Sequence, residues 1–290
     1  MFLLHNHELI HENQYVGDLV EHNISKYANT NGITAVFLIH GFPVDSRMWN
    51  QCASYMAPLL QQFHAKVNVY APDMPGAGVD PVLPPSDMHD LDTLADSYVS
   101  IMRDLGYEKA VWIGLSMGGY VVLDIQKRHP EVVQGIGLLD TKAAADSDQA
   151  AQKRFEIARI CELEQTVEPV MHFAQPSSDD STVKQSDEYV QLFTRWIHEQ
   201  KPQGIAWRQR MAANRPDLTD QLNKIIAPVL VLCGDVDPSS SPEVMKPIAE
   251  QMKNAKNVQF AVIEDCGHFS AVEHPDQVAQ QLVNFINNTL

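Results

Sequence analysis

Residues Trp112–Tyr120 read WIGLSMGGY, with Ser116 flanked by glycines two positions to either side. Lys109–Ile113 (KAVWI) is an apolar run of strand length, and Tyr120–Pro130 (YVVLDIQKRHP) reads as a helix stopped by Pro130. A strand that turns sharply into a helix here puts the serine in a strained backbone conformation at the mouth of a sheet. Side chains at the flanking positions would collide with strand and helix, and glycine avoids this. The same turn leaves the Met117 N–H at a helix N-terminus, where it can hold a negatively charged oxygen. The plainer reading, a glycine-rich turn with an incidental serine, has to be weighed against what the rest of the chain supplies.

Working outward, short apolar runs alternate with helix-length segments. LLHNHELIHE (residues 3–12) and LVEHNISKYA (19–28) read as an opening antiparallel pair. Strands follow at TAVFLIHG, KVNVYAPD, KAVWIG and VVQGIGLLD, with helices expected at 47–63, 91–105 and 117–129. PVLVLCGD, a helix at 242–253, VQFAVIED and a helix at 275–288 complete the chain. Such alternation requires crossover connections, so the expected architecture is α/β: a mostly parallel eight-stranded sheet with helices on both faces. The alternation breaks between Asp140 and Ala227, where amphipathic segments lack a strand pattern. We expect residues 1–140 and 227–290 to form the core, and 141–226 a helical cap over the carboxyl edge of the sheet. QPSSDDSTVKQSD (175–187) reads as an exposed turn within that cap.

The 290 residues are 44% apolar, enough for a sizeable core. Twenty-one basic residues against 37 acidic ones leave a net charge of −16. A surface so acidic repels phosphate backbones and anionic membranes, so neither is an expected partner. The four cysteines are dispersed with no CxxC pair, which points to reduced thiols rather than a disulfide framework or a cysteine zinc site. MFLLHNHELIHEN has no basic leader and no run of membrane-spanning length. A cytoplasmic protein is expected.

A serine hydroxyl needs a base, an orienting carboxylate and a second oxyanion donor. FLIHGFPVDSRMW (37–49) ends a strand at His40-Gly41-Phe42-Pro43, and the Phe42 N–H is the candidate second donor beside that of Met117. His40 reads as a loop-ordering residue. Of the twelve histidines, His268 in VIEDCGHFSAVEHP follows the last strand, from where it would reach back over the sheet edge. The candidate acids Asp140, Asp235 and Asp237 all lie at or just past strand ends; Asp237, deeper in its loop, is preferred and Asp140 comes next. HELIH (His7–His11) formally matches a zinc-binding H-E-x-x-H. That chemistry needs a helix, whereas in a strand positions four apart lie roughly 13 Å from each other. No metal or cofactor is expected.

Together, the HGFP turn, DMPGAG (73–78), GLSMGG, GDVDP and GHFSAVEHP resemble the α/β-hydrolase family, in the chain order Ser116, Asp237, His268. The family's G-x-x-D pattern at Gly234–Asp237 also favours Asp237. GLSMGGYVVL with GLLDTKAAAD is similar to enol-lactonase-like and small carboxylesterase members. HGFP is shared with perhydrolase- and epoxide-hydrolase-like members, but the latter use an aspartate at the position of Ser116. Asp80 and Met117 depart from residues found in other branches of the family. The resemblance implies a Ser116–His268–Asp237 triad and hydrolysis of a small-molecule ester, with lactonase, perhydrolase or low-turnover receptor as alternatives. Phe173, Trp196 and Trp207 are candidate pocket residues, and WRQRM (207–211) could meet a substrate carboxylate, although a solvated helix face is its plainer reading.

Overall fold

The computed structural model describes residues 11–12, 24–29, 33–84 and 90–290. These form one eight-stranded sheet in the order β1-β2-β4-β3-β5-β6-β7-β8. The strands are β1 (His11–Glu12), β2 (Ile24–Asn29), β3 (Thr34–Ile39), β4 (Val67–Pro72), β5 (Ala110–Leu115), β6 (Val133–Leu139), β7 (Val229–Gly234) and β8 (Val258–Ile263). β1 and β2 are antiparallel additions to one edge, and from β4 to β8 every pairing is parallel. Strands β3, β4, β5 and β7 are buried along their whole length. That explains why each reads as a nearly unbroken apolar run, since a parallel strand covered on both faces has no solvent side to alternate with. The rest of the expected opening pair, and the HELIH motif apart from His11, lies outside the described residues.

The crossover helices are α1 (Asn50–Gln62), α2 (Asp90–Asp104) and α3 (Met117–Arg128). The segment between β6 and β7 contains α4 (Asp148–Glu164), α5 (Asp187–His198), α6 (Pro202–Asn214) and the single turn α7 (Thr219–Leu222). Residues 141–226 contain no strand. After β7 come α8 (Pro242–Gln251), the short α9 (Ser270–Glu273) and α10 (Pro275–Thr289). α1 packs on α10, α2 on α3, and α4 on α6.

The stretch 175–187 departs from a plain exposed turn. Ser181 within it is fully buried and donates to the Glu273 carboxylate, and Thr182 is held by Asp265 through its backbone and hydroxyl. A polar residue in a polar run looks solvated until its partner is known.

Candidate active site

Ser116 sits between β5 and α3 with φ 53° and ψ −113°, in the positive-φ region that side chains seldom adopt. The neighbouring backbone leaves no room for larger residues. A Cβ on Gly114 would lie 2.2 Å from the Gly118 carbonyl oxygen, and one on Gly118 would lie 2.2 Å from that of Ile39. The turn is pinned by the Ser116 N–H donating to Leu139 (2.8 Å), and by the Thr141 hydroxyl donating to the Ser116 carbonyl (2.6 Å). Thus β6 holds the turn that β5 and α3 create.

His268 comes from the loop after β8, and its Nε2 accepts from the Ser116 hydroxyl at 2.8 Å. Its Nδ1–H donates to Asp237 Oδ2, also at 2.8 Å. Asp237, in the loop after β7, is 2% exposed. Its Oδ1 accepts from the Ser239 N–H (2.8 Å) and hydroxyl (3.1 Å), and the same hydroxyl lies 3.0 Å from His268 Nδ1. Burial alone would lower the His268 pKa, but the charge and hydrogen bond of Asp237 outweigh it and raise it above the ordinary imidazole value. For Asp237, burial pushes upward, and the paired imidazole with the backbone N–H donors wins, holding it below the usual carboxylate range.

The two other candidate acids do different work. Asp140, at the end of β6, accepts from Gly234 N–H (3.2 Å) and from the Ser270 N–H (3.2 Å) and hydroxyl (2.6 Å). It ties the ends of β6 and β7 to the loop carrying His268. Burial, helped by the nearby charge of Asp237, pushes its carboxyl well above the usual range. Asp235 receives the Cys266 N–H at 3.1 Å, a loop hydrogen bond.

The loop after β3 brings Phe42 to the same place. His40, fully buried, donates from Nδ1 to the Gly41 carbonyl (2.9 Å) and accepts the Met74 N–H at Nε2 (2.9 Å). Burial and the charge of Arg208 lower its pKa to about 4, so it stays neutral and orders the loop. Arg208 of α6 grips that loop from above, donating to Val44 (2.8 Å) with its guanidinium over the Phe42 ring. Neither the solvated helix face expected for WRQRM nor the lesser option of a substrate contact describes Arg208. Arg208 is fully buried in these bonds, and Arg210 is paired with Glu162.

A cavity of about 280 Å³ opens at Ser116 and His268, lined also by Phe42, Met117, Phe173 and Phe269. Of the three expected pocket aromatics, only Phe173 lines it. Trp196 packs against Phe193 instead, and Trp207 faces Val82–Pro84 on another surface. Both lie on helices whose aromatic face is buried, and periodicity cannot tell which of two buried surfaces that face meets. Sequence reading missed Ser239, although a serine two residues after a loop aspartate is a common local hydrogen-bond partner. It also missed the polar cavity residues Lys142, Asp146, Arg154 and Lys184, which carry no such signal.

The fold and this strand–serine–helix turn define a hydrolase scaffold. The sequence matches the alpha/beta hydrolase family over residues 36–281, and the chain belongs to that family. It is 28% identical to a thermophilic esterase from Thermogutta terrifontis, with a TM-score of 0.80 over 96% of this chain and 97% of that one. An enol-lactonase from Burkholderia xenovorans LB400 shares the fold at 19% identity, with a TM-score of 0.74 over 91% and 96% of the two chains. Rat bifunctional epoxide hydrolase 2 is 25% identical over 88% of this chain, which spans about half (52%) of that protein's length. Among the described residues, no helix is long and apolar enough to cross a membrane.

Proposed function

We propose that the protein hydrolyses small carboxylic esters through a Ser116–His268–Asp237 triad and an acyl-enzyme. The observation that carries this reading is the unbroken relay from Asp237 Oδ2 through His268 to Ser116 Oγ, at 2.8 Å and 2.8 Å, opening on a cavity. His268 Nε2 takes the hydroxyl proton as Ser116 Oγ bonds to the ester carbonyl carbon. The carbonyl oxygen becomes an oxyanion facing the backbone N–H groups of Phe42 and Met117. The tetrahedral adduct collapses, the C–O bond to the alcohol breaks, and the leaving oxygen takes the proton from His268. Water repeats the sequence on the acyl-enzyme, with the proton again passing to His268, and frees the acid. Residues 141–226 act as a cap, supplying Phe173 and the polar wall of the cavity.

The similarity to an esterase over nearly the whole chain supports this reading. The epoxide hydrolases among the relatives raise a rival reading, and Ser116 at the nucleophile position argues against it. Hydrolysis of short-chain aryl esters, lactones and a styrene-type epoxide, with Ser116→Ala as control, tests the assignment. Ester turnover lost in Ser116→Ala supports it; epoxide turnover without ester turnover overturns it.

A further inference from the structure

The cavity lining mixes apolar side chains, Phe42, Met117, Phe173 and Phe269, with charged ones, Asp140, Lys142, Asp146, Arg154 and Lys184. Three of these five are cations, in a chain whose net charge is −16.

Most of the charges in this wall are already matched. Lys184 pairs with Asp180 at 2.7 Å. Asp146 lies between two guanidiniums, Arg154 at 2.5 Å and Arg215 at 2.8 Å. Burial pushes its carboxyl up, but these partners outweigh it and keep the group ionised. That trio carries one surplus positive charge. Lys142 differs from the rest: it is half-buried and makes no hydrogen bond or ion pair among the described residues. Its backbone is fixed close to the reacting serine, because the preceding residue, Thr141, donates to the Ser116 carbonyl. A cation that lines the cavity without a partner of its own leaves its donors free for an anionic group bound there.

We propose that the preferred substrate is an ester bearing a free carboxylate, with Lys142 as its counter-ion. This rests on the ester-hydrolase reading above and narrows it to anionic esters of short chain. Lys142 is a specificity-determining residue, and the Arg154–Asp146–Arg215 trio adds long-range attraction toward the same wall.

The test uses a neutral aryl butyrate, an aryl hemisuccinate with the carboxylate on the acyl side, and a butyryl ester of hydroxybenzoate with the carboxylate on the alcohol side. The wild-type protein should prefer one of the two anionic esters over the neutral one in kcat/KM. Lys142→Ala should cut that preference at least about tenfold, Lys142→Arg should restore most of it, and Lys142→Glu should invert it. Which anionic ester responds tells the acyl side from the alcohol side. A binding measurement that requires no chemistry runs in parallel. Monoethyl glutarate and monobutyl succinate are titrated calorimetrically into Ser116→Ala protein, with and without Lys142→Ala. Binding of at least one should weaken about tenfold when Lys142 is removed. Unchanged affinity for both and an unchanged anionic-to-neutral ratio would overturn the proposal while leaving ester hydrolysis intact. If no ester is turned over, the ester-hydrolase reading fails on its own, and the calorimetric pair still decides the role of Lys142.

Discussion

At the scale of single residues, the site is a set of groups whose pKa values are set against one another. The His268 pKa is raised by Asp237, and the neutral imidazole is the form that can accept the serine proton. Activity should therefore be low at acid pH and rise through a midpoint above the ordinary imidazole value of about 6.5 in a kcat/KM profile. In Asp237→Asn the partner charge is gone and burial remains, so the midpoint should move to lower pH while kcat falls roughly ten-thousandfold. A midpoint that stays put in that variant would mean another carboxylate governs the imidazole. Ser116→Ala and His268→Ala should each reduce kcat by about a millionfold. Asp140→Ala offers a contrast. That residue braces loops and acts on the imidazole only through its charge, behind the charge and hydrogen bond of Asp237, so its loss should lower Tm more visibly than it moves the pH midpoint.

At the scale of elements, the turn between β5 and α3 and the loop around His268 are each held by contacts that tolerate little change. Gly118→Ala would drive a Cβ into the Ile39 carbonyl, and the fold should lose at least about 3 kcal/mol, read as a lowered denaturant midpoint. Glu273 clamps the histidine loop from both sides, accepting from Gly267 N–H (2.6 Å), Phe269 N–H (3.0 Å) and the Ser181 hydroxyl (2.5 Å). Glu273→Ala leaves those buried donors unpaired, at a cost of roughly 2–5 kcal/mol, and should lower kcat more than it raises KM. These elements also show what could be read beforehand. The buried parallel strands were plain because each is an apolar run bounded by Gly, Pro or Asp, and Ser116, Asp237 and His268 follow from strand ends and chain order. The clamp by Glu273 and the burial of Ser181 could not be read, because a carboxylate or hydroxyl in a polar segment has the same composition whether solvated or paired across 92 residues. The placement of Trp196 and Trp207 failed for a related reason: an amphipathic helix declares that one side is buried, not what it is buried against.

Across the whole molecule, the helical segment between β6 and β7 is fastened to the loops of the core at several points, two of which bear on the site. Arg208 of α6 grips the Phe42 loop, and Ser181 with Thr182 grips Glu273 and Asp265 at the two ends of the histidine loop. Removing the second fastening with Ser181→Ala and Asp265→Ala together should make residues 175–186 cleave faster in limited proteolysis, with the sheet staying resistant. Equal cleavage rates in the variant and the parent would show that these contacts do not hold the segment down.

That second fastening constrains how such an enzyme could diverge. Residues 181–182 and the loop that carries the imidazole share the same two carboxylates. Sequence drift at 181 or 182 would therefore also disturb the loop that positions His268. Change at Arg154 of α4, which lines the cavity and bonds to neither of those two carboxylates, escapes that coupling, so new selectivity should accumulate there first.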